Sequence, residues 1–143
     1  MYRGTAAFSE PETRAVRDFF KKLCCVVGAI DFHSYSQWIL IPSVEDSPRD
    51  RELNIIAKEL SKTIKRVTGK YYDPGYVTKG SASNFFYVAR PGQEWVASLT
   101  IEVRPDENSR TGFLLPKSEI IPTGRELFAA FLTLAEIRLR DFE

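Results

Sequence analysis

Hydrophobic and polar positions follow two different rhythms along this chain, and the rhythms mark out its elements. Ala15, Val16, Phe19, Phe20 and Leu23 recur at helical spacing. Pro11 suits a first turn, and Ser9 with Glu12 has the spacing of a capping box, so a helix with that stripe facing inward is expected here. Two apolar runs follow, Cys24–Ile30 and Trp38–Ile41, the second ending at Pro42. Both read as short buried strands, joined by a polar hinge, Asp31-Phe32-His33-Ser34-Tyr35-Ser36-Gln37. Val44 to Arg51 is polar, and Pro48 marks it as a connecting loop. Leu53, Ile56, Ala57, Leu60, Ile64 and Val67 then repeat at helical spacing, with Gly69 set to stop this second helix in a left-handed turn.

From Lys70 to Ser83 the rhythm is lost, and a loop of ~14 residues is expected, with Asp73-Pro74-Gly75 and Tyr76 in its middle. Asn84 to Ala89 reads as a short helical turn and Arg90-Pro91-Gly92 as a chain reversal. Strand rhythm returns when Trp95, Ala97, Leu99, Ile101 and Val103 alternate with Val96, Ser98, Thr100, Glu102 and Arg104. The second set turns polar towards its end, so Glu102 shares a face with Ser98 and Thr100. Thr123 and Glu126 make another capping box, and Phe128, Phe131, Leu132, Ala135 and Leu139 form the expected buried stripe of a closing helix. Helix, strand, strand, helix, loop, strand, helix is an α/β layer pattern.

Composition narrows the picture without redirecting it. The 143 residues, 43% hydrophobic and 27% charged, suit one globular domain, residues 1–143. A net charge of +1 supplies no general field for nucleic acid, and Lys58, Lys62, Lys65, Arg66 and Lys70 read as one solvated helix face. No apolar run approaches the ~18 residues of a membrane span, and no charged-then-apolar leader precedes the first helix. Cys24 and Cys25 are adjacent, which disfavours a disulfide between them, so buried free thiols are expected.

Two residues stand out chemically. His33 is the only histidine, and it follows a predicted buried strand, where open α/β sheets build their ligand sites. It is a candidate metal ligand; the plainer alternative is a lone imidazole hydrogen-bonded at a strand end. Glu102 lies late in an apolar strand, either as a general base or as the point where the strand meets solvent. A Gly-x-Ser-x-Gly elbow, a glycine-rich phosphate loop and a Cys-x-x-Cys pair are all missing from the sequence.

The run His33-Ser34-Tyr35-Ser36-Gln37 resembles the segment that carries the last metal-ligand histidine of the zinc metallocarboxypeptidases of the carboxypeptidase A and B type. Thr100-Ile101-Glu102-Val103-Arg104-Pro105 is similar to their catalytic-glutamate strand. Gly112-Phe113-Leu114-Leu115-Pro116 and Ile120-Ile121-Pro122-Thr123 are similar to the lead into their final helix, and Tyr2-Arg3-Gly4 and Phe8 to Glu12 extend the match upstream. The resemblance implies the C-terminal half of a doubly wound, mixed-sheet domain. It implies zinc-dependent release of single C-terminal residues from peptide or protein substrates, in a protein that is extracellular when intact. Within it, His33 corresponds to a zinc ligand, Glu102 to the general base and acid, and Tyr76 to the tyrosine that closes over substrate. Ser83 corresponds to the side-pocket residue that sorts C-terminal side chains, Phe113 to a pocket-lining aromatic, and Ser34 and Tyr35 to subsites beside the metal.

The departures from the pattern matter equally. Asn84-Phe85 stands for the family's Asp-Trp, and Ser83 offers no countercharge, so neutral C-terminal residues are the expected substrates. The family's His-x-x-Glu and Asn-Arg segments have no counterpart here, and Asp31, two residues from His33, is a weak substitute ligand. The chain is therefore expected to be a truncated piece of the catalytic domain, inactive alone, with an exposed sheet edge open to pairing. The alternative is a non-enzymatic binding module of the same fold.

Overall fold

Four strands form one mixed sheet among the described residues of the computed structural model, which are 4–42, 47–77, 80–88 and 95–140. They are β1 (Gly28–Ser36), β2 (Trp38–Pro42), β3 (Asp73–Val77) and β4 (Ala97–Asp106), in the order β1-β4-β2-β3. The helices are α1 (Pro11–Lys22), α2 (Pro48–Thr68), α3 (Ala82–Val88) and α4 (Ile120–Arg140), the last entered through a 3-10 turn at Lys117–Glu119. The architecture is the expected mixed α/β. No described helix is long and apolar enough to cross a membrane.

β4 is central because both of its faces are apolar enough, or well enough covered, to be buried: residues Ala97 to Ile101 are all buried. It runs parallel to β1 and antiparallel to β2, and β2 runs parallel to β3. The expected hinge is a correction. β1 runs through it, pairing from Gly28 opposite Ala97 to Ser34 opposite Val103, and the reversal narrows to Gln37, whose φ is 58°. An edge strand has one ladder open to solvent, which is why Asp31, His33 and Ser34 are tolerated inside it. Cys24 and Cys25 precede the strand and are exposed, not buried.

The core lies between the sheet and α2, where Leu53, Ile56, Ala57, Leu60 and Ile64 meet Ile39, Ile41, Leu99 and Ile101. Val67 lies beyond this contact and is 46% exposed. Pro48 opens α2 rather than a loop, since its missing N–H is no loss at the first position. Ser47 caps the helix: its Oγ accepts from the Asp50 amide (3.3 Å) and its own amide donates to Asp50 Oδ2 (2.7 Å). Gly69 ends the helix at φ 76°, as its position predicts. The expected loop from Lys70 also contains β3, which pairs along the edge of β2. The predicted turn at Arg90-Pro91-Gly92, together with Tyr2, Arg3, Val44 and Ala89, lies outside the described residues.

Two helices differ from their patterns. At α1 the capping box does not form; Ser9 Oγ accepts from the Thr5 amide and donates to Glu10 instead. Of its stripe only Phe20 is buried, against Phe85 and Phe86 of α3, while Val16 and Phe19 are exposed. α4 begins before Thr123 and turns a different face inward, the row Glu126, Ala130, Leu134 and Arg138. Phe128, Phe131, Leu132 and Leu139, expected inside, are exposed.

Charge partners decide that rotation. Glu126 is fully buried and accepts from Arg104 Nε (3.0 Å), from the Tyr72 hydroxyl (2.8 Å) and from the Thr68 hydroxyl, while Arg104 also pairs with Glu119. Arg138, also buried, bonds Val27 O (3.2 Å) and Glu52 (3.0 Å) and stacks over Trp95. Turning the aromatic stripe inward would pull both charges away from these partners, at several kcal/mol each. The hydrogen bond to Glu126 holds the Arg104 guanidinium above its ordinary value, and burial pushes the Tyr72 hydroxyl well up.

Glu126→Ala removes one of the two carboxylates paired with Arg104 and the carboxylate acceptor of the Tyr72 hydroxyl, so urea unfolding of this variant is expected to show a loss of about 3–5 kcal/mol. A double change, Arg104→Met with Glu126→Leu, is expected to cost less than the sum of the single changes. Alkaline pH gives a second check. Burial pushes the Tyr87 hydroxyl, which donates to Asp50 Oδ1 (2.8 Å), up to about 12. Its folded value thus exceeds the unfolded value of about 10, so its contribution to stability is complete below pH ~10 and is lost as pH rises towards ~12. Melting temperature measured across that window is expected to fall less steeply for Tyr87→Phe than for the wild type.

Candidate active site

Register partners in a parallel pair of strands lie on the same face, so the β1–β4 ladder decides which side chains meet. His33 is opposite Glu102, and Asp31 is opposite Thr100. On the other side of β4, Trp38 of β2 is opposite Glu102 and Leu40 is opposite Thr100. One sheet face therefore carries His33, Glu102 and Trp38 in a row, with neighbouring strands about 4.8 Å apart. The alternation along β4 puts Ser98 and Thr100 on this face too, and α3 packs over it: Ser83 Oγ accepts from Thr100 Oγ1 at 3.2 Å.

The polar groups in this row differ in how they are satisfied. The His33 side chain is 56% exposed, and its Nε2 lies 3.1 Å from Asp31 Oδ2. That contact orients the ring and leaves Nδ1 as the nitrogen available to a ligand. Asp31 is thus engaged with the ring rather than standing as a separate donor. Glu102 is half-buried, and its Oε2 is buried with no hydrogen-bond partner, as is Ser98 Oγ. A buried carboxylate oxygen without a partner costs about 1–3 kcal/mol or more, which suits an oxygen kept for a guest atom.

Other predicted site residues are brought together in pairs. Ser83 is fully buried within α3, sharing a hydrogen bond with Ser81 Oγ (2.9 Å), and has no charged group among these partners. Tyr35 meets Phe113 edge-on, with ring centroids 5.0 Å apart, beyond the register shift that follows Ser34. Ser34 is exposed. Tyr76 is not in a loop; its backbone belongs to β3, in register with Ile41 and two strands from β4, which sets it at least about 10 Å from the Glu102 backbone. Its side chain lies outside the described residues.

Trp38 and Thr100 are members of this face that sequence reasoning did not single out. Alternation gave Thr100 its face, but only the pairing register shows that Trp38 is beside Glu102. Gly75 secures Trp38: a Cβ built there would lie 2.8 Å from the indole Cε3 and Cζ3 atoms. No group of three imidazole, carboxylate or thiol side chains that could hold a metal ion exists among the described residues. A catalytic zinc takes three protein ligands. The described residues therefore do not fit a complete zinc centre, and His33 offers one donor towards it.

Comparison with known proteins fixes the lineage. The zinc carboxypeptidase family model matches residues 1–130. The chain belongs to the zinc carboxypeptidase family. It is 41% identical over 94% of its length to zinc carboxypeptidase A 1 of Anopheles gambiae, covering 33% of that protein. It is 34% identical over 98% of its length to carboxypeptidase A1 of Bos taurus, covering 34% of it. Bovine thrombin-activatable fibrinolysis inhibitor, solved in complex with tick carboxypeptidase inhibitor, superimposes with a TM-score of 0.84 at 31% identity, over 98% of this chain and 49% of that one. This zinc carboxypeptidase chain thus spans about a third of the length of the curated relatives it matches.

The Gly75–Trp38 contact makes the wall of the site testable. Gly75→Ala is expected to push the indole aside and cost about 1–3 kcal/mol of stability by urea unfolding. A shifted tryptophan emission is expected with it, whereas Gly124→Ala, where an added Cβ meets nothing, is expected to leave the emission unchanged.

Proposed function

We propose that this chain is an incomplete part of a metallocarboxypeptidase catalytic domain, the intact enzyme releasing single neutral residues from the C-termini of extracellular peptides. The observation that carries this reading is the pairing of His33 with Glu102 on one face, the carboxylate keeping one buried oxygen unpaired. Glu102 takes the proton of the attacking water and returns it to the leaving amine, as a carboxylate within reach of both atoms can. His33 would present one imidazole nitrogen to zinc, and Asp31 holds the ring from behind. The remaining donors come from outside the described residues.

Ser83 and Thr100 form the neutral floor of the side-chain pocket, with Tyr35 and Phe113 as an aromatic flank and Ser34 at its margin. A lysine or arginine would find no countercharge at Ser83, so leucine and phenylalanine termini are preferred. Tyr76 is assigned the covering role on the sequence resemblance alone. Pairing through the free edge of β1 belongs to the same reading. A second reading, a non-catalytic member of the family, draws on the lack of three converging donors among the described residues.

The test uses this chain completed with the amino-terminal portion of the Anopheles relative. Blocked dipeptides ending in phenylalanine or leucine are expected to be cleaved faster than those ending in lysine, and Ser83→Asp is expected to reverse that order. Glu102→Gln is expected to lower kcat by about 10²–10⁴ with zinc content unchanged. An undiminished kcat in that variant overturns the role given to Glu102, and a wild-type preference for lysine overturns the pocket. The chain alone is expected to bind no stoichiometric zinc and to release no residue; chelator-sensitive turnover by it would refute the incomplete-site reading.

A further inference from the structure

The bend between α1 and β1 carries the only two thiols of the sequence, Cys24 and Cys25, and both are free and exposed. Cys25 adopts a left-handed backbone, φ 56°, so the chain turns sharply at this pair. Adjacent Cα atoms lie about 3.8 Å apart across a trans peptide, whereas disulfides span about 4.4–6.8 Å between Cα atoms. Direct S–S closure is therefore strained. Insertion of a larger atom between the sulfurs relieves the mismatch, because the sulfurs no longer have to approach to about 2.05 Å, the length of a direct bond.

We propose that Cys24 and Cys25 form a two-thiol site for a soft, three-coordinate thiophilic centre, the chemical class of the trivalent arsenicals. Soft sulfur donors select soft centres. A pyramidal centre accepts its two sulfurs at a narrow angle, whereas a linear two-coordinate cation needs donors on opposite sides. With a monosubstituted arsenical in its hydrated form, two As–S bonds form and two As–OH bonds break. Each thiol proton leaves with a hydroxide as water, and neither arsenic nor sulfur changes oxidation state. The site is independent of the His33–Glu102 face.

The test titrates the reduced chain with phenylarsine oxide, followed by intact mass and by counting residual thiols. The expected result is one phenylarsenic group per chain, loss of both thiols together, retention against excess glutathione, and removal by a small dithiol. Cys24→Ser and Cys25→Ser are each expected to weaken binding by at least about a hundredfold, since the second bond forms at the high effective concentration of a tethered thiol. Single variants that bind as tightly as the wild type, or a wild-type adduct stripped by glutathione, overturn the proposal. The mass and thiol readings on the wild type decide the question even where a variant folds poorly by circular dichroism.

Discussion

The parallel pairing of β1 with β4 is the constraint on which the rest of this structure depends. It sets Gly28 opposite Ala97 and carries that register to His33 opposite Glu102. A slip of one residue would send every side chain of β1 to the other face and separate the imidazole from the carboxylate. The same β4 holds β2 on its other side, so one strand fixes the positions of His33, Glu102 and Trp38 together.

That ladder is held at its far end by charge rather than by apolar packing. Arg104, near the carboxyl end of β4, is joined to Glu126 of α4, and Glu126 is joined in turn to Tyr72 ahead of β3 and to Thr68 at the end of α2. Three stretches of the chain, one holding Thr68 and Tyr72, one Arg104 and one Glu126 itself, meet at one buried carboxylate. Buried ion pairs add little net stability against an apolar replacement, but they punish every arrangement that leaves a partner alone. The network thereby specifies which face of α4 turns inward, at the expense of Phe128 and Phe131, which stay outside.

How much of this was legible in the sequence depended on whether the deciding contact was local. α2 was readable because its apolar row, its capping glycine and its burial against the sheet agree. The alternation of β4, and hence the face shared by Ser98, Thr100 and Glu102, was equally local. α4 was misread because its pattern offers two stripes, and the choice is made by Arg104 and Tyr72, which no local window includes. β1 was misplaced since its polar residues resemble a hinge until the strand is seen at a sheet edge, and β3 was hidden because Asp73-Pro74-Gly75 has turn chemistry but is recruited along β2. At the site, the resemblance named His33 and Glu102, while Trp38 waited on a register that only the assembled sheet supplies.

The order of strands in the sheet, β1-β4-β2-β3, differs from their order along the chain, and this bears on how the protein is born. β1 and β2 leave the ribosome before β4, the strand that separates and joins them, which is made only after α2, β3 and α3 are complete. During that interval Ile39 and Ile41 have α2 and β3 to lean on, whereas the ladder that β1 forms among the described residues waits for β4. Non-local pairing of this kind is slow because a long loop must close before any hydrogen bond is gained. The polar side chains of Asp31, His33, Ser34 and Ser36 leave a strand that pairs late with less apolar surface to expose than the Ile39–Ile41 stretch of β2 has.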